Sequence, residues 1–130
     1  MDIKLFKNNL GKYAAYYHPA TLFAKIKKVA KKAGIKLVYV VLVLYYATLD
    51  KNLPLKDWLM ILAALGYFIV PFDLLPDALP GGFADDTAAL VFVLKQVWKN
   101  LSPETSRKAR ERLKEWFGEV SESDTEIRDL

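Results

Sequence analysis

Hydrophobic residues recur at intervals of three and four positions from residue 21 onward, which is the spacing of one face of an α-helix. The recurring positions are Leu22, Ile26, Val29, Ala30, Ala33, Leu37, Val40, Val41 and Leu44. We expect Thr21, which follows Pro19, to be the N-cap of this helix. Residues 37–49 carry no charge on any face. A helix of that kind is buried all round, in either protein or lipid.

A second segment, residues 58–70, is also apolar on every face. Residues 50–54 interrupt the pattern between the two segments, and Pro54 suits the first turn of the second helix. Helices joined by so short a connection pack as an antiparallel hairpin. The pattern therefore predicts a hairpin of two apolar helices at the centre of the molecule.

Two further helices are predicted after the hairpin. The third begins near Asp85 and is apolar through Trp98. The fourth has a clear start signal, with Ser102 as N-cap and Pro103 and Glu104 in its first turn. Its apolar face comprises Ala109, Leu113, Trp116 and Phe117. The predicted fold class is all-α, a small bundle of four to five helices around the central apolar antiparallel hairpin.

Composition divides the chain into three regions. Residues 1–20 form an N-terminal basic segment, residues 21–117 a single helical domain, and residues 118–130 an acidic tail that is predicted to be disordered. A length of 130 residues is typical of one domain, and a hydrophobic fraction of 53% is ample for one core.

The residue inventory excludes several kinds of chemistry. The chain has no cysteine, which removes disulfides, thiolate zinc sites and cysteine nucleophiles. It has one histidine, His18, so a multi-histidine metal site is excluded and a Ser-His-Asp triad could form only around this residue. No pattern in the chain predicts a reaction or a cofactor.

Positive charge is concentrated at the N-terminal end. The net charge is +4, but residues 1–36 hold nine lysines against the single acidic residue Asp2. Such a segment attracts anionic lipid or nucleic acid. Nucleic acid is disfavoured, because arginine is absent before Arg107 and aromatic residues do not interleave with the lysines. The row that is predicted to contact anionic lipid headgroups comprises Lys25, Lys28, Lys32 and Lys36.

Both apolar segments are slightly short for a membrane span, which needs about 20 residues. Residues 35–49 number 15, and residues 58–75 number 18 but include Pro71 and Asp73. Insertion of the hairpin is marginally favourable on transfer scales. Tyr45, Tyr46, Trp58 and Tyr67 could form interfacial aromatic belts or belong to a core. Three alternatives stay open: an integral hairpin in the cytoplasmic membrane, a peripheral position on its cytoplasmic side, and a soluble bundle.

Residues 1–12 lack the apolar core of a secretory signal. The lysine-rich end therefore predicts an N-terminus on the cytoplasmic side of the membrane.

A connector rich in proline and aspartate follows the hairpin. Its distinctive residues are Pro71, Asp73, Pro76, Asp77, Pro80, Gly82, Asp85 and Asp86. The favoured interpretation is structural, with the carboxylates capping helices and the prolines fixing the turns. The alternatives are a hard-cation site for Ca²⁺ or Mg²⁺, a general acid and base pair, and recognition of a partner.

The string from residue 67 to 86, with Pro-Phe-Asp-Leu-Leu-Pro-Asp, Pro-Gly-Gly and a closing Asp-Asp, resembles the signature of the YkvA-like family of unknown function. The resemblance covers residues 58–98. It implies a small helical domain, mainly bacterial and usually regarded as a membrane protein, with no established enzymatic activity. Gly81 and Gly82 follow Pro80 directly, where many members have additional apolar residues.

The sequence thus favours a non-enzymatic, membrane-associated helical module, a scaffold or interaction domain with its lysine-rich helix on anionic lipid. The predicted partners are anionic lipid and a protein, and the oligomeric state is not determined. The alternatives are a soluble helical adaptor and a divalent-cation or hydrolytic site in the aspartate connector.

Overall fold

The computed structural model describes residues 3–74, 82–121 and 125, and the regular secondary structure within them is entirely helical. The elements in chain order are α1 (Ile3–Asn8), α2 (Leu10–Ala14), α3 (Pro19–Ala33), α4 (Ile35–Ala47), α5 (Leu55–Leu74), α6 (Gly82–Val97), a 3-10 turn (Trp98–Asn100) and α7 (Pro103–Phe117). The all-α prediction is confirmed.

Helix α4 lies at the centre of the bundle. Its eight consecutive residues 37–44 are all buried, and it contacts α3, α5, α6 and α7. A helix that is apolar on every face needs apolar neighbours on every face. Other helices of the same chain supply them here, which explains the uncharged stretch after residue 36.

The long helix predicted from residue 21 is interrupted at Gly34. This residue has φ 85° and ψ 161°, which ends α3 and starts α4 in a new direction. The predicted N-cap is also wrong. Helix α3 begins at Pro19 with His18 before it, so Thr21 lies in the first turn. Proline is favoured at the first helical position because it has no N–H to leave unsatisfied and its φ is already helical.

Helices α1 and α2 were not predicted from the pattern. They pack through a cluster of four aromatic rings in which Phe6 is stacked on Tyr13 at 5.8 Å and meets Tyr67 of α5 edge-on at 6.0 Å. Phe92 of α6 completes the cluster at 6.5 Å from Phe6. Helices of five or six residues are not stable alone. Residues 3–14 are therefore stabilised by packing against α5 and α6.

Helices α2 and α5 approach each other closely at Gly66. A Cβ atom added to Gly66 would lie 1.8 Å from the carbonyl oxygen of Tyr13 and 2.8 Å from its carbonyl carbon. Both atoms belong to the backbone and cannot rotate away. Glycine at this position allows the two helices to pack backbone against backbone.

Helix α7 confirms the start that the sequence predicts. The Ser102 hydroxyl accepts a hydrogen bond from the Thr105 N–H at 3.4 Å, and Pro103 is the first helical residue. Thr105, Ala109 and Leu113 are buried, and α7 packs along α4. At the far end of the predicted apolar face, the Trp116 ring meets the Phe23 ring edge-on at 5.8 Å, while Phe117 remains 38% exposed.

In the described part of the chain, no helix combines the length and the apolar character that a membrane crossing requires. Helix α4 has 13 residues, about 20 Å, against a hydrocarbon layer of about 30 Å. Helix α5 has 20 residues but carries Lys56 and Asp57 in its first turn.

The Tyr17 side chain connects the end of α2 to the end of α4. Burial raises the pKa of its phenol, a side-chain hydrogen bond with Thr48 lowers it in part, and the nearby Tyr45 raises it. The Thr48 hydroxyl also donates to the Tyr45 carbonyl at 2.5 Å. Because the folded protein holds the phenolic proton more tightly than the unfolded chain, folding stability falls as pH rises above the ordinary tyrosine value.

We expect Gly66→Ala to lower the free energy of unfolding by about 2 kcal/mol, because the new methyl group forces α2 away from α5. Urea unfolding measures the effect. The control is Gly11→Ala in α2, where an added Cβ has no neighbour within 4 Å. This change should leave stability unchanged or raise it by up to about 1 kcal/mol. Equal stability of the two variants would contradict the close approach.

We expect Tyr17→Phe to flatten the decline in stability above about pH 10, because it removes the phenol whose proton the fold retains. The measurement is urea unfolding at several pH values between neutral and strongly alkaline. The control is Tyr16→Phe, a change at an exposed neighbour. A decline of the same steepness in Tyr17→Phe and wild type would refute the role of this phenol.

Candidate functional site

The fold places the lysines of the predicted row in different environments. Lys28 is exposed on α3, and Lys36 is half-buried at the start of α4. The side chain of Lys32 lies outside the described part of the structure. Lys25 is buried, with only 4% of its surface exposed. The prediction that Lys25 contacts lipid headgroups is therefore wrong, since its ammonium lies inside the protein.

The Lys25 ammonium is held by α5. Its Nζ donates a hydrogen bond to the backbone carbonyl of Phe68 and lies 4.1 Å from the centroid of the Phe68 ring. A carbonyl oxygen and the negative face of an aromatic ring both favour a cation. The position follows from the helical spacing, because Lys25 lies on the same face as the buried residues Leu22 and Ile26.

Lys25 meets α5 in the C-terminal half of that helix, six residues before its end at Leu74. Pro71 lies three residues beyond Phe68 and has no N–H to donate within the helix. Lys25 therefore joins α3 to the turn of α5 that precedes Pro71.

An exposed basic surface remains on α1, α2 and α3. Residues 3–49 contain no aspartate or glutamate. The exposed lysines of this surface are Lys4, Lys7, Lys12, Lys27 and Lys28. The same part of the chain has two exposed apolar side chains, Leu5 at 54% exposure and Tyr16 at 40%. We call these seven residues the basic face. A lysine-rich surface with a few exposed apolar groups is suited to an anionic membrane interface.

The aspartate connector is described only at its two ends. Pro71 and Asp73 lie in the last turn of α5, which continues to Leu74 and so extends further than the sequence predicts. Gly82 starts α6, and Asp85 and Asp86 are its fourth and fifth residues. Pro76, Asp77 and Pro80 lie outside the described residues. The acids of α6 are placed near a helix N-terminus, where negative charge is favourable.

Capping, cation binding and partner recognition at this connector remain predictions. The side chains of 71–74 and 82–87 are not among those the structure describes. Among the residues that it does describe, no group of three or more histidine, cysteine, aspartate or glutamate side chains is placed to hold a metal ion.

The aromatic residues considered for a membrane belt have different environments. Tyr45, Tyr46 and Tyr67 are half-buried and pack against the core. Tyr45 also meets the Phe23 ring edge-on at 4.9 Å. Trp58 is 37% exposed in the first turn of α5. The three tyrosines thus belong to the bundle, and Trp58 faces outward.

Residues 57–92 match the model of the family described as "Protein of unknown function (DUF1232)". This segment includes most of α5, the aspartate connector and the first part of α6. The match supports a relationship to an uncharacterised family and agrees with a molecular function that is unknown. Comparison with curated proteins and with solved structures gives no significant match.

We expect Lys25→Glu to lower the free energy of unfolding by about 3 kcal/mol or more, because a buried carboxylate would face a carbonyl oxygen and the negative face of a ring. Chemical denaturation measures the loss. The matched control is Lys27→Glu, the same charge change at an exposed position of α3. We expect the control to remain within about 0.5 kcal/mol of wild type. Equal destabilisation by both changes would show that Lys25 is not specially placed.

Proposed function

We propose that this protein is a peripheral membrane module that binds anionic lipid through the basic face of α1, α2 and α3. The observation that carries the proposal is the absence of any acidic residue from residues 3–49, combined with five exposed lysines in this segment. The side chains of the segment itself are therefore charged only positively. We expect them to attract an anionic surface.

The strength of the attraction can be judged from the number of lysines. Each lysine near an anionic bilayer contributes about 1 kcal/mol. Five exposed lysines can therefore hold a small domain at a membrane without a spanning helix. Lys36, half-buried at the start of α4, and Lys32 are further candidates for contact with headgroups.

Two exposed apolar side chains of the basic face support a membrane surface over another polyanion. Leu5 follows Lys4 on α1, and Tyr16 follows the end of α2. Apolar groups of this kind can enter the boundary between headgroups and acyl chains, whereas a nucleic acid backbone offers them nothing comparable. The leaflet of matching charge is the anionic cytoplasmic one.

The bundle can also act as a scaffold, because it has surfaces other than the basic face. The bundle holds the basic face on a rigid core, and α6 and α7 lie elsewhere on that core with exposed polar surfaces of their own. These surfaces are available to a protein partner. The resemblance of residues 58–98 to the YkvA-like family, which is usually regarded as a family of membrane proteins, supports the same function.

We expect the double change Lys27→Gln and Lys28→Gln to weaken binding to vesicles that contain phosphatidylserine by roughly 30-fold, since two lysines contribute about 2 kcal/mol. Vesicle sedimentation at low and high salt measures the effect. Wild-type binding should fall as salt rises, and binding to vesicles of phosphatidylcholine alone should be weak.

The control for this experiment is the double change Arg110→Gln and Lys114→Gln, which removes the same charge from exposed positions of α7. We expect it to bind anionic vesicles nearly as well as wild type. Thermal unfolding should show that both double variants are folded. The proposal fails if the two double variants bind anionic vesicles equally, or if wild-type binding does not depend on the charge of the vesicles.

A further inference from the structure

A second group of exposed apolar side chains lies away from the basic face. Leu55 is 77% exposed, Leu49 59%, Trp98 43% and Trp58 37%. They account for four of the seven large hydrophobic residues that are exposed in the described part of the chain. Leu55 and Trp58 are three positions apart and share one face of α5. Exposed tryptophan is costly in water and is typical of surfaces that bind something.

The fold brings these residues to one end of the bundle. The Asn100 amide donates to the Asp57 carboxylate at 2.5 Å, which joins the start of α5 to the 3-10 turn that begins at Trp98. Leu49 and Asn100 line the same groove, of about 530 Å³, between the α4–α5 connection and the start of α7. We call Leu49, Leu55, Trp58 and Trp98 the turn-end surface.

The charged side chains around the turn-end surface are mainly positive. Four exposed lysines surround it, namely Lys51, Lys56, Lys95 and Lys99. The carboxylates of Asp50 and Asp57 lie in the same region, so four lysines stand against two acids. Asp50 accepts a hydrogen bond from the Asn52 N–H at 2.9 Å, and Asp57 accepts from Asn100. The excess of lysine over aspartate favours an anionic partner.

The turn-end surface is distinct from the basic face. Helix α3 meets α5 at Phe68, where Lys25 donates its hydrogen bond. Leu55 lies 13 residues earlier on the same helix, which corresponds to about 20 Å along the axis. The two surfaces therefore contact any partner through separate sets of residues.

We infer that the turn-end surface is a second membrane contact, in which Leu55, Trp58 and Trp98 enter the interface of an anionic bilayer between lysine–headgroup contacts. Tryptophan and lysine side chains are both stable at this interface, because the indole ring is amphipathic and the aliphatic part of lysine is apolar. The inference uses none of the residues on which the proposed function rests.

Two other occupants fit the surface less well. A second copy of the chain in a symmetric contact would place the same four lysines against each other. A partner helix would require an apolar groove for its side chains. The groove beside the turn-end surface has polar lining apart from Leu49 and Leu101. A fluid bilayer needs no groove, since lipids conform to apolar groups that protrude.

Tryptophan fluorescence tests the inference directly. The chain has three tryptophans, and Trp116 packs against Phe23. In the Trp116→Phe variant, the emission reports only Trp58 and Trp98. With vesicles of phosphatidylcholine and phosphatidylserine, we expect a blue shift, protection from acrylamide and quenching by brominated lipid. Unchanged emission on vesicle-bound protein would overturn the inference and leave the basic face as the membrane contact.

A pair of substitutions separates the two surfaces. Leu55→Asp, at a side chain that is 77% exposed, should preserve the fold and weaken vesicle binding about tenfold. In the Lys27→Gln and Lys28→Gln background, the blue shift should persist at saturating lipid. Loss of the blue shift in that background would overturn the inference that the turn-end surface contacts the bilayer independently of the basic face. Self-association detected by light scattering and abolished by Leu55→Asp would assign the surface to a second copy and overturn the inference.

Discussion

The burial of α4 on all sides is the constraint from which the rest of the architecture follows. An uncharged helix in water is stable only when every face is covered. Helices α3, α5, α6 and α7 provide that cover, and residues 37–44 have almost no exposed surface. Helices α3 and α7 are amphipathic, with one apolar face toward the centre and one polar face outward. The arrangement also explains why a chain with a mean hydropathy of only +0.10 contains a segment as apolar as a membrane helix.

Two contacts with α5 determine how the N-terminal third of the chain is presented. At Gly66 the absence of a side chain lets α2 approach the backbone of α5. At Phe68 the ammonium of Lys25 is bound by a carbonyl and a ring. One lysine is thereby withdrawn from the surface, and Lys27 and Lys28 remain outside. The same helix thus supplies both a polar attachment to the core and a charged outer face.

The distribution of acidic residues divides the surface into regions with different electrostatic properties. On α7, three glutamates lie among five basic residues, and Arg107 is bonded to two of them, Glu104 and Glu111. Helices α1 to α3 themselves carry no acidic residue. At the turn end, four exposed lysines lie near Asp50 and Asp57. Both lysine-rich regions also carry exposed apolar side chains.

The sequence by itself determined the helical class, the start of α7 at Ser102 and the concentration of lysine at one end, because these depend on local spacing and composition. It could not determine whether protein or lipid covers the apolar segments, since a helix without charge is compatible with both environments. The structure of residues 3–14, the break at Gly34 and the burial of Lys25 also depended on the tertiary structure. Each arises from contacts between residues far apart in the chain, such as Phe6 with Phe92 and Lys25 with Phe68. Periodicity reports which residues share a helix face, whereas only packing decides what that face meets.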